Sequence, residues 1–194
     1  MFIEPDGATP LDPDERLGLL HDYVTTRAEL NELEQANIIS AMQWIGRQRR
    51  LDILDVGKSL RLHRECFGEV WAWAGQFRKT EKNIGIAPYL IGVESGKALD
   101  DARYWVENET FSPLEAAARL HHRLVQIHPF PNGNGRWARI MSDEYLRQYY
   151  DRPPIDWAAG QVLDNDSPRR TEYIAALRAA DGYEFDPLLK FVGI

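Results

Sequence analysis

From position 26 to 49, apolar residues return every three or four places. Leu30, Leu33, Ile38, Ala41, Trp44 and Ile45 form one stripe at about 100° per residue, which predicts a long amphipathic helix. Two polar residues, Glu34 and Asn37, fall inside that stripe; Glu29 lies toward its edge and Glu32 on the opposite face. Shorter helical patterns cover 14–23 and 54–67, with a short helical or irregular piece at 69–73. Ser112-Pro113-Leu114-Glu115 reads as a capping box with proline at the first helical position. The helix it opens carries Leu120, Leu124 and Ile127 on one face and stops before Pro129, so His128 stands at its end. Two further helices are predicted at 136–149 and 168–180. Residues 77–93 lose the helical period. They hold Gly85, Pro88 and the β-branched Ile84, Ile86 and Ile91, which predicts a short hairpin. Residues 1–13, with Pro5, Gly7, Pro10 and Pro13, read as an extended lead-in. The fold class is mainly all-α, a helical bundle with one small hairpin and no internal repeats.

Composition changes this picture in a few places. A chain of 194 residues with 44% hydrophobic content and six Trp has ample material for one core plus an N-terminal extension. The division expected is an extension over 1–50 and a core over 51–194. The net charge of -7 argues against broad binding to nucleic acid or to an anionic membrane, so any phosphate site must be a local basic pocket. Cys66 is the only cysteine, which excludes an internal disulfide; it reads as a small buried hydrophobe. Neither a signal peptide nor an apolar run of spanning length is visible, which predicts a cytoplasmic protein.

The candidate chemistry sits in His128-Pro129-Phe130-Pro131-Asn132-Gly133-Asn134-Gly135-Arg136, with Arg139 one turn further on. Two glycines allow a tight turn that aims several N–H groups inward, close to the start of the next helix, which makes an anion site. Arg136 and Arg139, three apart on one helix face, can both reach phosphate oxygens. A titratable base beside a phosphate cradle points to phosphoryl or nucleotidyl transfer. Other readings fit less well. No Gly-Lys-Ser/Thr follows, as a Walker loop needs. Gly133-x-Gly135-x-x-Ala138 lacks the strand that a dinucleotide fingerprint follows. His121 and His128 are separated by about 10 Å of helical rise, too far for one zinc ion. His121 and His122 read as core histidines.

The run HPFPNGNGRxxR resembles the Fic motif, usually written HPFx(D/E)GNGRxxR. Gly75-Gln76-Phe77-Arg78 followed by Lys82-Asn83-Ile84-Gly85-Ile86 resembles the Fic flap region, and the helix with Arg170, Tyr173, Ile174, Ala176 and Leu177 resembles the last core helix of that family. Together with the stretch 25–35, these features resemble the Fic subfamily called mobile mystery protein B. The resemblance implies a Fic-type bundle that transfers AMP from ATP to a Ser, Thr or Tyr hydroxyl of a target protein. His128 would be the general base and Arg136 the clamp on the β phosphate. Gly133, Asn134, Gly135, Arg136 and Arg139 would bind the nucleotide. Asn132 would face Mg²⁺, although Asp or Glu usually stands at that position. The flap residues Asn83, Ile84, Gly85 and Ile86 would dock the target by strand addition. Other Fic proteins transfer UMP, phosphocholine or phosphate, and a non-catalytic nucleotide-binding module is a further alternative. The subfamily also implies a helix-turn-helix, antitoxin-like partner.

Fic proteins are often held off by a glutamate that occupies the second arginine of the motif, here Arg139. Thr25-x-x-x-Glu29 fits the first part of the usual inhibitory motif, but Leu30 breaks its end. A carboxylate inside an apolar stripe needs a partner. Periodicity therefore favours Glu34 as the inhibitory residue, with Glu29 as the alternative.

Overall fold

Among the described residues, a side chain caps the start of four of the eight α-helices. In the computed structural model, which describes residues 12–48, 51–159 and 167–194, α1 covers Pro13–Arg16 and α2 covers Arg27–Gly46. Thr26 Oγ1 accepts the N–H of Glu29 at 3.2 Å, and the Glu29 carboxylate accepts the N–H of Thr26 at 2.9 Å, a reciprocal box that fixes where α2 begins. Asp55 caps α3 (Val56–Phe67), Ser112 caps α5 (Pro113–Ile127) and Ser167 caps α7 (Pro168–Asp181). α4 (Ile91–Glu107) follows a single 3-10 turn at Pro88–Leu90, α6 is Asn134–Tyr150, and α8 is Asp186–Val192.

α5 is the central rod. Ala116, Ala117 and Ala118 are fully buried, and these small side chains let neighbouring helices approach closely. α4, α6 and α8 pack around α5, while α2 lies on α3, which in turn backs α6. Trp137, Met141 and Tyr145 fill the α6 side of the core, and Leu30, Ile38, Ala41 and Ile45 fill the α2 side. The α2 stripe thus buries as the periodicity requires, with Glu34 and Asn37 buried inside it.

Three expectations change. Among the described residues there is no hairpin: the only bridge-type pairing is an isolated one between Leu19 and Trp71. The polar groups of residues 78–86 bond elsewhere. The Arg78 guanidinium donates to the carbonyls of Thr80 (2.7 Å) and Ile86, and the N–H of Ile86 bonds to the carbonyl of Ile127 at 3.4 Å. The segment is therefore a loop wrapped on a buried cation. The helix expected at 14–23 shrinks to α1, because the N–H of Leu20 bonds to Val70 O (2.9 Å) and Gly18 O accepts the N–H of Ala72 (2.8 Å). Finally, α4 and α8 add helices that the pattern reading does not contain. Positions 1–11 of the lead-in, and Arg49 at the end of the expected second helix, lie outside the described residues.

Candidate active site

α5 ends at Ile127, and His128 follows as its C-cap with φ 54°, in the left-handed region. Its ring is buried. Burial first, and the Arg78 guanidinium second, pull its pKa down to about 4, while a backbone bond with Val125 works against the shift. At neutral pH the imidazole is uncharged, the form a base requires.

The turn after it is built by hydrogen bonds. Asn134 Oδ1 accepts the N–H of Phe130 (2.9 Å) and Asn134 Nδ2 donates to the carbonyl of Phe130 (2.8 Å), which closes 130–134 into a ring. Gly133 has φ 79°, and a Cβ there would sit 2.6 Å from the Phe67 ring, so only glycine fits. α6 starts at Asn134, and Trp137 is the first residue to bond back, to Gly133 O at 2.9 Å. The N–H groups of Asn134, Gly135 and Arg136 thus belong to the unbonded first turn, at the positive end of the helix.

A residue not singled out in the sequence supports this turn. His63 on α3 accepts the N–H of Gly75 at Nδ1 (3.0 Å), which leaves its Nε2–H to donate to the carbonyl of Asn132 (3.1 Å). Burial pulls its pKa to about 3, so it stays neutral, and its ring stacks on Phe130 with centroids 3.6 Å apart. Its partners lie 12 and 69 positions away, so the local sequence pattern carries no signal for either bond.

The two arginines have different partners. Arg136 Nη2 donates to Glu34 Oε2 at 2.7 Å, and Trp71 Nε1 donates to the other carboxylate oxygen at 2.7 Å. The Glu34 side chain is fully buried; that of Arg136 is 27% exposed. The expected pairing of Glu34 with Arg139 is therefore corrected to Arg136, which lies one helical turn closer to the loop. Arg139 instead lies over the Tyr173 ring, 5.8 Å from its centroid, and the Tyr173 hydroxyl meets His121 Nε2 at 2.8 Å. Glu29, the alternative inhibitory residue, is committed to the α2 cap through the N–H groups of Thr25 and Thr26. Glu32 is exposed. Cys66 is buried, and that burial pushes its thiol up to about 12.

A cavity of about 1220 Å³ gathers these pieces. His128, Asn132, Gly135, Arg136 and Arg139 line it, as does Ile84 from the loop. Asn83 and Ile84 are exposed, Gly85 lies against His128, and Ile86 is partly buried. Asn132 Oδ1 accepts the N–H of Gly133 at 2.6 Å. The described residues contain no cluster of three or more His, Cys, Asp or Glu suited to a metal. Asn132 is thus a neutral amide oxygen already engaged in a hydrogen bond, by itself a weak ligand for a hard cation, while the carboxylates of Glu32 and Asp143 line other parts of the cavity.

Residues 53–146 match the model of the Fic/DOC family. This chain carries a Fic/DOC-family domain. Protein adenylyltransferase fic-1 of Caenorhabditis elegans is 29% identical over 145 residues, a match that covers 73% of this chain and 27% of that protein. The solved structure of C. elegans Fic-1 superposes with a TM-score of 0.66 at 24% identity, covering 91% of this chain and 51% of the other. BepC of Bartonella tribocorum, solved with bound AMPPNP, gives 0.70 at 16% identity, covering 93% and 96%. The chain thus spans about a quarter of the length of the curated relatives it matches, and the helical Fic architecture extends over most of it.

Proposed function

We propose that this chain is a protein adenylyltransferase that moves AMP from ATP to a Ser, Thr or Tyr hydroxyl of a target protein, and that Glu34 restrains it. One observation carries the reading: a buried neutral imidazole and a helix-start anion turn with two arginines line the same cavity. His128 takes the hydroxyl proton. The freed oxygen bonds to the α phosphorus, the bond from that phosphorus to the bridging oxygen breaks, and pyrophosphate leaves. The turn N–H groups and Arg136 meet the charge that grows on the leaving group. Arg139, held over Tyr173, stands one turn further along for the outer phosphate. The family match, the relatives named adenylyltransferases and the AMPPNP in BepC support ATP as donor.

In this reading Mg²⁺ arrives with the nucleotide phosphates and meets Asn132 at the turn. Glu34 restrains transfer because it occupies the guanidinium that the phosphates need. The N-terminal unit ending near residue 50 is then the restraining part and 51–194 the catalytic part. Residues 83–86 present the target segment from a loop. On the subfamily resemblance alone, a helix-turn-helix protein is proposed as a partner, to be tested by copurification.

The deciding experiment is incorporation of α-labelled ATP into protein by wild type and by Glu34→Gly, with and without Mg²⁺. Label in the Glu34→Gly sample that disappears in His128→Ala is the expected result. ATP binding with no label in any variant leaves a nucleotide-binding module instead.

A further inference from the structure

His128 holds its left-handed backbone at a helix end, and its carbonyl points into buried space. Arg78 fills that space. Its side chain is buried, and its guanidinium makes three bonds to carbonyl oxygens: Nε to His128 (2.7 Å), Nη1 to Thr80 (2.7 Å) and Nη2 to Ile86. Its own N–H bonds to the carbonyl of Pro129 at 2.9 Å. Among the described residues no carboxylate comes within ion-pair range of it. A cation buried on carbonyls is costly to desolvate; burial lowers its pKa, opposed by the more distant carboxylates of Glu81 and Glu15. Surface solubility does not account for such a residue; a geometric task does. Gly85 completes the contact. With φ 97°, it lies so close that a Cβ there would sit 2.6 Å from the Cβ of His128 and 2.7 Å from Arg78 Nη2.

We propose that Arg78 is a positioning residue for the base: its guanidinium ties the loop 78–86 to the carbonyl of His128, and Gly85 leaves the room that lets loop and base touch. A lysine cannot do this, because one ammonium does not span three carbonyls set around a planar fork. The same tie fixes the loop beside the base, so the acceptor hydroxyl and the imidazole are registered against each other.

This inference rests on the adenylyltransferase reading for its kinetic arm and on spectroscopy otherwise. In the 194-residue chain carrying Glu34→Gly, Arg78→Gln and Arg78→Lys are expected to lower kcat by about 10–100-fold, the size that follows from a small misplacement of a reacting group. KM for ATP should stay within about two-fold, because the nucleotide turn is untouched. The His128 ring signal in NMR, assigned with His128→Ala, should shift in Arg78→Gln. Unchanged kcat together with an unmoved His128 signal overturns the proposal. So does a loss carried by KM for ATP, which would assign Arg78 to the nucleotide turn. If no variant transfers label, the adenylyl-transfer reading fails and the His128 signal alone decides for Arg78. Should the Arg78 variants not fold, Gly85→Ala decides: the same kcat loss and ring shift are expected, and neither appearing overturns the inference.

Discussion

Glu34 and Arg136 are 102 positions apart in the chain and meet through a single 2.7 Å contact between Oε2 and Nη2. The carboxylate has no exposure and its other oxygen is taken by the Trp71 indole, so α2 is joined to the start of α6 by a fully partnered carboxylate. Removing the charge while keeping the shape isolates that contact. Glu34→Gln is expected to raise incorporation of α-labelled ATP above wild type, and Glu34→Gly to raise it further. Glycine also weakens α2 by about 1 kcal/mol, so thermal unfolding of both variants separates release from loosening. Glu29→Gln should disturb only the start of α2, at a cost of about 1 kcal/mol as for lost caps, with incorporation unchanged. Activation by the Glu29 change and not by the Glu34 changes would reassign the restraint.

His128→Ala should remove transfer and spare binding. General bases contribute roughly 10²–10⁴-fold to rate, and the turn N–H groups proposed to receive phosphate do not involve this ring. Isothermal titration with a non-hydrolysable ATP analogue should therefore give nearly the same Kd as the parent, while label transfer falls to background. Transfer close to the parent's would remove His128 from the base role.

The buried histidines set a sign for stability against pH. His63 and His121 have pKa values pulled to about 3 and His128 to about 4, each mainly by burial. Unfolded, each returns to about 6.5. Below that value the unfolded chain binds more protons at these three sites, so stability falls as pH drops from about 6.5 toward 4. Asp143 acts in the opposite direction. Burial raises it to about 6, so between its ordinary value and 6 the folded state holds the extra proton. The histidines outnumber it, and net destabilisation on acidification is expected. Urea midpoints at pH 7 and pH 5 test this: a higher midpoint at pH 5 would contradict the neutral buried rings. His63→Gln should flatten the slope by up to about 1.4 kcal/mol per pH unit.

Asn132 offers a neutral oxygen where a charged one would hold a hard cation more tightly. Asn132→Asp is expected to lower the Mg²⁺ concentration for half-maximal transfer in the Glu34→Gly background. Superimposable Mg²⁺ titrations would show that this side chain serves only its bond to the Gly133 N–H.

Much of the site could be read along the chain because it is local. The turn 128–136 carries its own caps and glycines, and the α2 stripe places Glu34 inward by periodicity alone. What periodicity does not give is azimuth: it states that Glu34 faces the core, not which of two arginines one turn apart it will meet. The hairpin expectation failed for a related reason. Ile84, Ile86 and Ile91 have strand propensity, but Arg78 supplies donors to the loop carbonyls and α5 supplies an acceptor, so tertiary bonds displace pairing between strands. Ile91 belongs to α4 instead, with Ala98, Leu99 and Ala102 on the same buried face. His63 could not be assigned a role from sequence, since both of its bonds are to backbone groups distant along the chain.

The loop over the base has a second anchor. Lys82, whose side chain is only 2% exposed, is held by Asp12 at 3.0 Å and by Glu15, and Thr80 donates to the other oxygen of Glu15 at 2.9 Å. The two substrates of the proposed transfer therefore answer to different parts of the N-terminal region. In the proposed transfer, access for ATP would be governed by α2 through Glu34, whereas the loop proposed to face the acceptor protein is anchored on Asp12 and Glu15 at α1. On the proposed function, a molecule that pulled on α1 would act on the acceptor side of the site, and one that pulled on α2 on the nucleotide side.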